Sequence, residues 1–331
     1  MTKLEIRVPI SPRDGDMRML RYLLASIQLF GGPIARAAHC VASVGEDEPP
    51  RDLAAEYPWT ADYSVEFQWL DRELFRSRSY DATGFHRMWV RSDADVVALI
   101  DADLLVARSF DDIVQRANRE QTMVGYIGHV SPFTFAGLNG TPSRLWWERM
   151  FAAAGLPEPQ LAFEHPFWDF DWESNGFESI SSGVEHRRCP PYYNYGLVMG
   201  PRRFIEQMGQ SFEAELEAVD SVMETMFKSQ IANCLAFARH GIPCITVPIE
   251  YNLPLNLPAG AVRSARAGPD GWGSGGGGPI RIFHYIGGRH LFESEESLQA
   301  LLARSDLRGP WRGFQRRLQR VHDTISRSSV G

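Results

Sequence analysis

Asp101-Ala102-Asp103 follows directly on the apolar run Val96-Val97-Ala98-Leu99-Ile100. Two carboxylates at i and i+2 of an extended chain point the same way. Both can then face one divalent cation, and hard oxygen ligands suit Mg²⁺ or Mn²⁺, ions that usually bridge to substrate phosphates. The tripeptide is common, and alone it reads equally well as a pair of loop or capping acids. The preceding run shifts the balance. An apolar stretch without polar alternation fits a strand buried on both faces of a parallel sheet. Ligands of open α/β sheets bind beyond the carboxyl ends of such strands.

A second group lies far downstream. Ile282-Phe283-His284-Tyr285-Ile286-Gly287-Gly288-Arg289 sets an imidazole in a β-like run, followed by glycines and a cation. A nitrogen ligand added to two carboxylates favours Mn²⁺. Gly287 and Gly288 allow close backbone approach to a diphosphate, and Arg289 can bind it through charge-assisted hydrogen bonds. A core histidine is the competing reading of His284 taken by itself. Asn194 and Gly196 open the apolar strand that follows Tyr192 and Tyr193. That pattern suits a place where chain and sugar hydroxyls meet, and a plain turn is the alternative. The segment from Phe163 to Gly176 is dense in aromatics and acids. Trp168 and Trp172 offer flat faces for pyranose stacking, while Asp169, Asp171 and Glu173 can bind hydroxyls or act as a base; a surface loop whose aromatics pack on the core is the equal alternative. Asp169-Phe170-Asp171 is a second D-x-D, but no apolar strand leads into it.

Several elements must position these residues. Leu4–Ile10 reads as a first strand, Met19–Phe30 as a helix ended by Gly31-Gly32-Pro33, Ala37–Val44 as a second strand and Val65–Leu70 as a third. Helical character returns over about 82–89. This alternation predicts a mainly parallel sheet with crossover helices. Ile280–Tyr285 reads as a strand. Pro310 suits a first helical turn, and Trp311, Phe314, Leu318, Val321 and Ile325 follow at helical spacing. Arg312, Arg316, Arg317 and Arg320 make that helix basic. Such a helix can lie on an anionic membrane, although packing of its apolar stripe on its own chain is the expected use. The glycine-rich 271–278 lacks the G-K-[ST] ending of a phosphate loop and precedes a strand; a lid over a donor and a passive loop are both open.

With 331 residues and 44% hydrophobic content the chain can bury a sizeable core. Its 34 basic and 41 acidic residues leave a net charge of −7, which argues against a nucleic-acid grip. The four cysteines have no C-x-x-C spacing and read as reduced core residues. The N-terminal residues lack the apolar core of a signal peptide, and no run reaches the roughly 18 apolar residues of a span. Cytoplasm is the expected compartment, and the Arg- and Ala-rich composition suggests a bacterial source.

Taken in order, these features resemble those of GT-A-fold glycosyltransferases, most closely glycosyltransferase family 8, the glycogenin and galactosyltransferase-like group. The matching elements are Leu99-Ile100-Asp101-Ala102-Asp103, Tyr193-Asn194-Tyr195-Gly196, Ser229-Gln230-Ile231-Ala232-Asn233 and His284-Tyr285-Ile286-Gly287. Each is short, and their order carries the match, over about 4–290. Three departures stand out. Ser229 replaces an aspartate of the family pattern, Tyr195 is bulky where the family has a small residue, and Arg289-His290-Leu291 replaces Lys-Pro-Trp.

The resemblance implies a GT-A domain over 1–292, with a nucleotide-binding half (1–105) and an acceptor-binding half (106–292), and a helical extension at 293–331. It implies a UDP-sugar donor packed near Val8, Pro9, Ile10 and Ser11. Asp101 would contact ribose or the metal, and Asp103 and His284 would hold Mn²⁺ or Mg²⁺ on the diphosphate. Gln230 would lie beside the anomeric carbon, with Asn194 and Asp171 as further catalytic candidates and Trp168, Asp169, Trp172 and Tyr193 around a hydroxyl-bearing acceptor. Retention of anomeric configuration follows from the same likeness. Three other classes compete. A sugar nucleotidyltransferase would want a glycine-rich signature after the first strand, which Val8-Pro9-Ile10-Ser11-Pro12 lacks. A haloacid-dehalogenase-like phosphatase also uses D-x-D after a strand, but normally near the N-terminus and followed by glycine. A non-catalytic carbohydrate-binding protein would not need Asp101, Asp103 and His284 together.

Overall fold

A computed structural model describes residues 2–129, 131–135, 142–165, 188–256 and 279–328. Its centre is a seven-stranded sheet of β1 (Leu4–Ile10), β2 (His39–Val44), β3 (Val65–Trp69), β4 (Val96–Ile100), β6 (Met123–Ile127), β9 (Tyr193–Pro201) and β10 (Cys244–Thr246), in the order β10-β6-β9-β4-β1-β2-β3. All pairings are parallel except those of β9, which runs antiparallel to both β4 and β6. A small sheet joins β5 (Leu104–Val106), β11 (Leu253–Pro254) and β12 (Ile282–His284) in the order β11-β12-β5, and β7 (Phe163–Glu164) pairs with β8 (Arg188–Cys189).

The sheet has an apolar core on each face, and β4 shows why its sequence lacks alternation. Val96, Ala98 and Ile100 enter one core, and Val97 and Leu99 enter the other. Helix α1 (Asp14–Phe30) covers the first face through Met17, Leu20, Leu23, Leu24 and Ile27, with Asp14 and Asp16 in its first turn. Helices α4 (Arg202–Val222) and α5 (Lys228–Arg239) pack on the second face. Helices α2 (Tyr80–Trp89) and α3 (Asp111–Glu120) lie between α1 and β9 in the chain. The C-terminal helix α6 (Gly309–Ser328) buries Phe314, Leu318, Val321 and Ile325 in the same core as α1 and β1.

The expected elements occur at or near their expected ends. Helix α1 begins earlier than Met19, at Asp14, because the polar first turn hides the start of the apolar stripe. The expected strand 37–44 starts at His39, since Pro33–Arg36 forms a short helix before it. No helix of the described residues is long and apolar enough to cross a membrane.

Candidate active site

The register of two strand pairs builds the site. Strand β9 opens beside the carboxyl end of β4: Ile100 pairs with Leu197, and the Asp101 N–H donates to the Gly196 carbonyl at 3.0 Å. Antiparallel pairing of β12 with β5 sets His284 opposite Leu104, one residue beyond Asp103. The Tyr285 N–H donates to the Asp103 carbonyl at 3.0 Å, and the Tyr285 hydroxyl to the Ala102 carbonyl at 3.2 Å. The turn carrying both aspartates is therefore pinned from β9 and from β12.

One ligand atom each of Asp101, Asp103 and His284 lie within 4.8 Å of one another. His284 Nε2 is 3.2 Å from Asp103 Oδ1. Neighbouring ligands on a six-coordinate Mg²⁺- or Mn²⁺-sized ion stand about 3 Å apart. Two carboxylates and one imidazole thus fit a small divalent cation in chemistry, and the Asp103–His284 pair fits it in spacing.

The orientation of His284 follows from one backbone donor. The Gly196 N–H donates to Asn194 Oδ1 at 3.0 Å, so that amide must present oxygen there. Asn252 lies 3.0 Å from the same oxygen and must offer its Nδ2. Its Oδ1 then faces His284 Nδ1 at 2.9 Å, which requires a proton on Nδ1. In the neutral ring Nε2 therefore carries the lone pair, and Nε2 is the atom that faces Asp103. Such outer-shell bonding fixes the tautomer of ligating histidines. Asn252, just before β11, carried no sequence signal. Asn194, expected as a catalytic group, is buried and forms a link in this relay, with Gly196 N–H and Asn252 as partners. Gly196 is needed as well: a Cβ there would meet His284 Cε1 at 2.4 Å.

Charge in the site is unevenly held. Burial raises the Asp101 carboxyl to about 6, opposed by Arg87 and reinforced by Asp103. Burial disfavours the His284 imidazolium, but Asp103 outweighs it and the imidazole pKa is raised. Arg87, on α2, was missed by sequence reasoning. Its fully buried guanidinium lies 3.5 Å from Asp101 Oδ1 and donates to the Ile100 carbonyl at 3.0 Å. It also sits 4.6 Å over the Tyr195 ring. The Tyr195 hydroxyl donates to the Gly84 carbonyl at 3.0 Å, and a Cβ on Gly84 would stand 3.2 Å from the Tyr195 ring. A glycine in α2 thus makes room for the bulky Tyr195. Arg7 of β1, buried against Glu5 at 2.7 Å, holds α2 by donating to the Arg87 carbonyl at 2.5 Å.

A cleft of about 420 Å³ opens at this point. Pro9, Ile10 and Ser11 line it at the end of β1, Asp101 and Asp103 at the end of β4, and Ser229 and Gln230 from the first turn of α5. Gly287 and Arg289 also line it. Gly287 has a φ of +71°, a left-handed backbone that by itself favours glycine. Arg289 is held by Asp16 at 2.9 Å, an acid of α1 that shares the cleft wall.

Two expected residues are elsewhere. Val8 is fully buried in the core beneath Pro9, because alternation along β1 turns it inward. Tyr193 is buried beneath the cleft, its hydroxyl donating to the Ile245 carbonyl at 2.8 Å and its ring against Phe237; Tyr195 is the tyrosine that reaches the cleft. Trp168, Asp169, Asp171, Trp172 and Glu173 lie outside the described residues, as does 271–278.

No protein-family profile and no curated protein matches the chain. Its fold has solved counterparts. The galactosyltransferase LgtC, in complex with donor and acceptor sugar analogs, aligns at TM-score 0.54 and 12% identity over 93% of this chain and 99% of its own. An active-site mutant of LgtC aligns at TM-score 0.52 and 13% identity, again over 93% and 99%. The chain has the GT-A fold that its motifs led us to expect: a mixed, mainly parallel sheet flanked by helices.

Proposed function

We propose that the protein is a glycosyltransferase that moves a sugar from a nucleotide-sugar, a UDP-sugar, to a hydroxyl-bearing acceptor with a bound divalent cation, Mn²⁺ before Mg²⁺, and with retention of configuration. One observation carries this reading. Asp101, Asp103 and a tautomerically fixed His284 come together from distant parts of the chain at the mouth of a cleft in a GT-A fold. The solved structure of LgtC with donor and acceptor analogs supports the substrate classes. The mutant form of LgtC replaces an active-site glutamine by glutamate, and Gln230 is a glutamine of this cleft.

Asp103 and His284 would hold the cation, with Asp101 contacting it directly or through water. When bound, the cation supplies Lewis-acid neutralisation of the diphosphate leaving group. Ile10 and Ser11 would flank the nucleoside. Arg87, held at the base of the cleft by the Ile100 carbonyl and the Tyr195 ring, adds a fixed positive charge where negative charge develops. Arg289 adds a second, positioned by Asp16. Gln230 would contact the sugar at its anomeric centre and orient it without forming a carboxylate adduct. The bond from the anomeric carbon to the phosphate oxygen breaks and that to the acceptor oxygen forms. Asp171 is the proposed base for the acceptor proton, with Trp168, Asp169 and Trp172 around the acceptor; this assignment rests on residue chemistry alone.

The test is a panel of nucleotide sugars incubated with and without Mn²⁺, following nucleoside diphosphate release and reading the product's anomeric configuration by NMR. Metal-dependent release from one donor, with retained configuration, is the expected result. Hydrolysis of simple phosphate monoesters in place of sugar transfer would instead indicate phosphatase chemistry.

A further inference from the structure

A second pocket lies on the other side of β12 from the site just described. His284 faces the acidic cluster, and its neighbour Phe283 lines this pocket, of about 360 Å³. Four arginines surround it: Arg108 after β5, and Arg316, Arg317 and Arg320 on α6. None of the four forms an ion pair with a described residue. Arg317 and Arg320 both stack on Phe30 of α1, at 4.9 and 5.2 Å from its ring centroid, so the two guanidiniums are close neighbours. Burial lowers the pKa of Arg317, and Arg320, Arg108 and Arg316 lower it further by repulsion. A protein with net charge −7 therefore gathers four cations at one cavity without an acidic partner among the described residues. Like charges held together in this way favour a multivalent anion, and guanidinium forks match phosphate oxygens. Ile280 and Phe283 give the same pocket an apolar wall.

We propose that this pocket binds a phosphate ester, its phosphate held by Arg108, Arg316, Arg317 and Arg320 and its organic part resting on Ile280 and Phe283. The site is separate from the donor cleft and does not depend on the cation proposed there. A free phosphate ester and a phospholipid headgroup share this chemistry.

The test uses the full chain in EDTA, so that cation-dependent donor binding is absent. Glycerol phosphate and inorganic phosphate are titrated calorimetrically, and sedimentation is measured with vesicles of phosphatidylglycerol in phosphatidylcholine and of phosphatidylcholine alone. Arg317→Gln and Arg320→Gln should each weaken binding about ten-fold or more, the loss of a charged hydrogen bond. Arg312→Gln, on the same helix but outside the pocket, and Asp103→Ala, in the other cleft, should bind like the wild type. Circular dichroism confirms that each variant is folded, and Arg317→Lys provides a milder substitution. Binding of the soluble phosphates with this variant pattern supports a free ester. Sedimentation with phosphatidylglycerol vesicles alone, with the same pattern, supports a lipid-presented one. Absence of binding to every probe, equal loss on Arg312→Gln, or loss on Asp103→Ala would overturn the proposal.

Discussion

Two protons stand between the acidic cluster and a cation. The Asp101 carboxyl, raised to about 6 by burial, is largely protonated below that pH. The His284 imidazolium, whose pKa is raised by Asp103, persists to higher pH than an ordinary histidine. A cation must displace the proton at Nε2 and any on Asp101, so affinity is weak at low pH and grows as pH rises through and above 6. Each displaced proton contributes up to about ten-fold per pH unit. Mn²⁺ titrations at pH 5 and pH 8 should therefore differ by at least about ten-fold, and equal affinities would contradict the assigned ligand set. Asn252 acts through the other ring nitrogen. Its replacement by alanine frees the ring to choose either tautomer and should lower Mn²⁺ affinity by about 10- to 100-fold. The Nε2 and Nδ1 shifts in ¹⁵N NMR of the cation-free protein should change with it, and unchanged shifts would remove Asn252 from the relay.

At the scale of elements, the small sheet β11-β12-β5 joins the candidate site to the C-terminal helix. Phe283 of β12 packs edge-on against Phe314 of α6 at 5.8 Å, and Tyr285 lies 5.3 Å from Phe314. Phe314→Ala should cost about 3–5 kcal/mol of stability, the usual loss for a buried phenylalanine, and denaturant melts would show it. A loss well under 1 kcal/mol would mean that α6 is not part of this core. Elements were legible in the sequence where one periodicity ruled. β4 was plain because a strand buried on both faces has no polar interruption, β1 because Leu4, Ile6, Val8 and Ile10 recur at every second position, and α6 because its apolar stripe repeats at helical spacing. The antiparallel insertion of β9 was not legible, since nothing in Tyr193–Pro201 encodes strand direction. The inward turn of Val8 follows from alternation along β1, and the deeper position of Tyr193 relative to Tyr195 from the depth of β9.

Over the whole molecule, the site is assembled from seven places in the chain: the end of β1, the start of α1, α2, the end of β4, the start of β9, the start of α5 and β12 with its following turn. Sequence order revealed Asp101, Asp103, His284 and Gln230, because their motifs are short and local. Arg87 and Asn252 stayed hidden because their roles come from contacts with distant segments: Arg87 with Ile100, Asp101 and Tyr195, and Asn252 with Asn194 and His284. Fold and site therefore make a joint claim, that the cation cluster exists to hold a nucleotide-sugar donor. Calorimetric titration of UDP with and without Mn²⁺, on the wild type and on Asp103→Ala, tests it most directly. The wild type should bind UDP at least about ten-fold more tightly with Mn²⁺, and Asp103→Ala should abolish that difference while remaining folded. A wild type indifferent to Mn²⁺, or an Asp103→Ala variant with full Mn²⁺ dependence, would contradict the account.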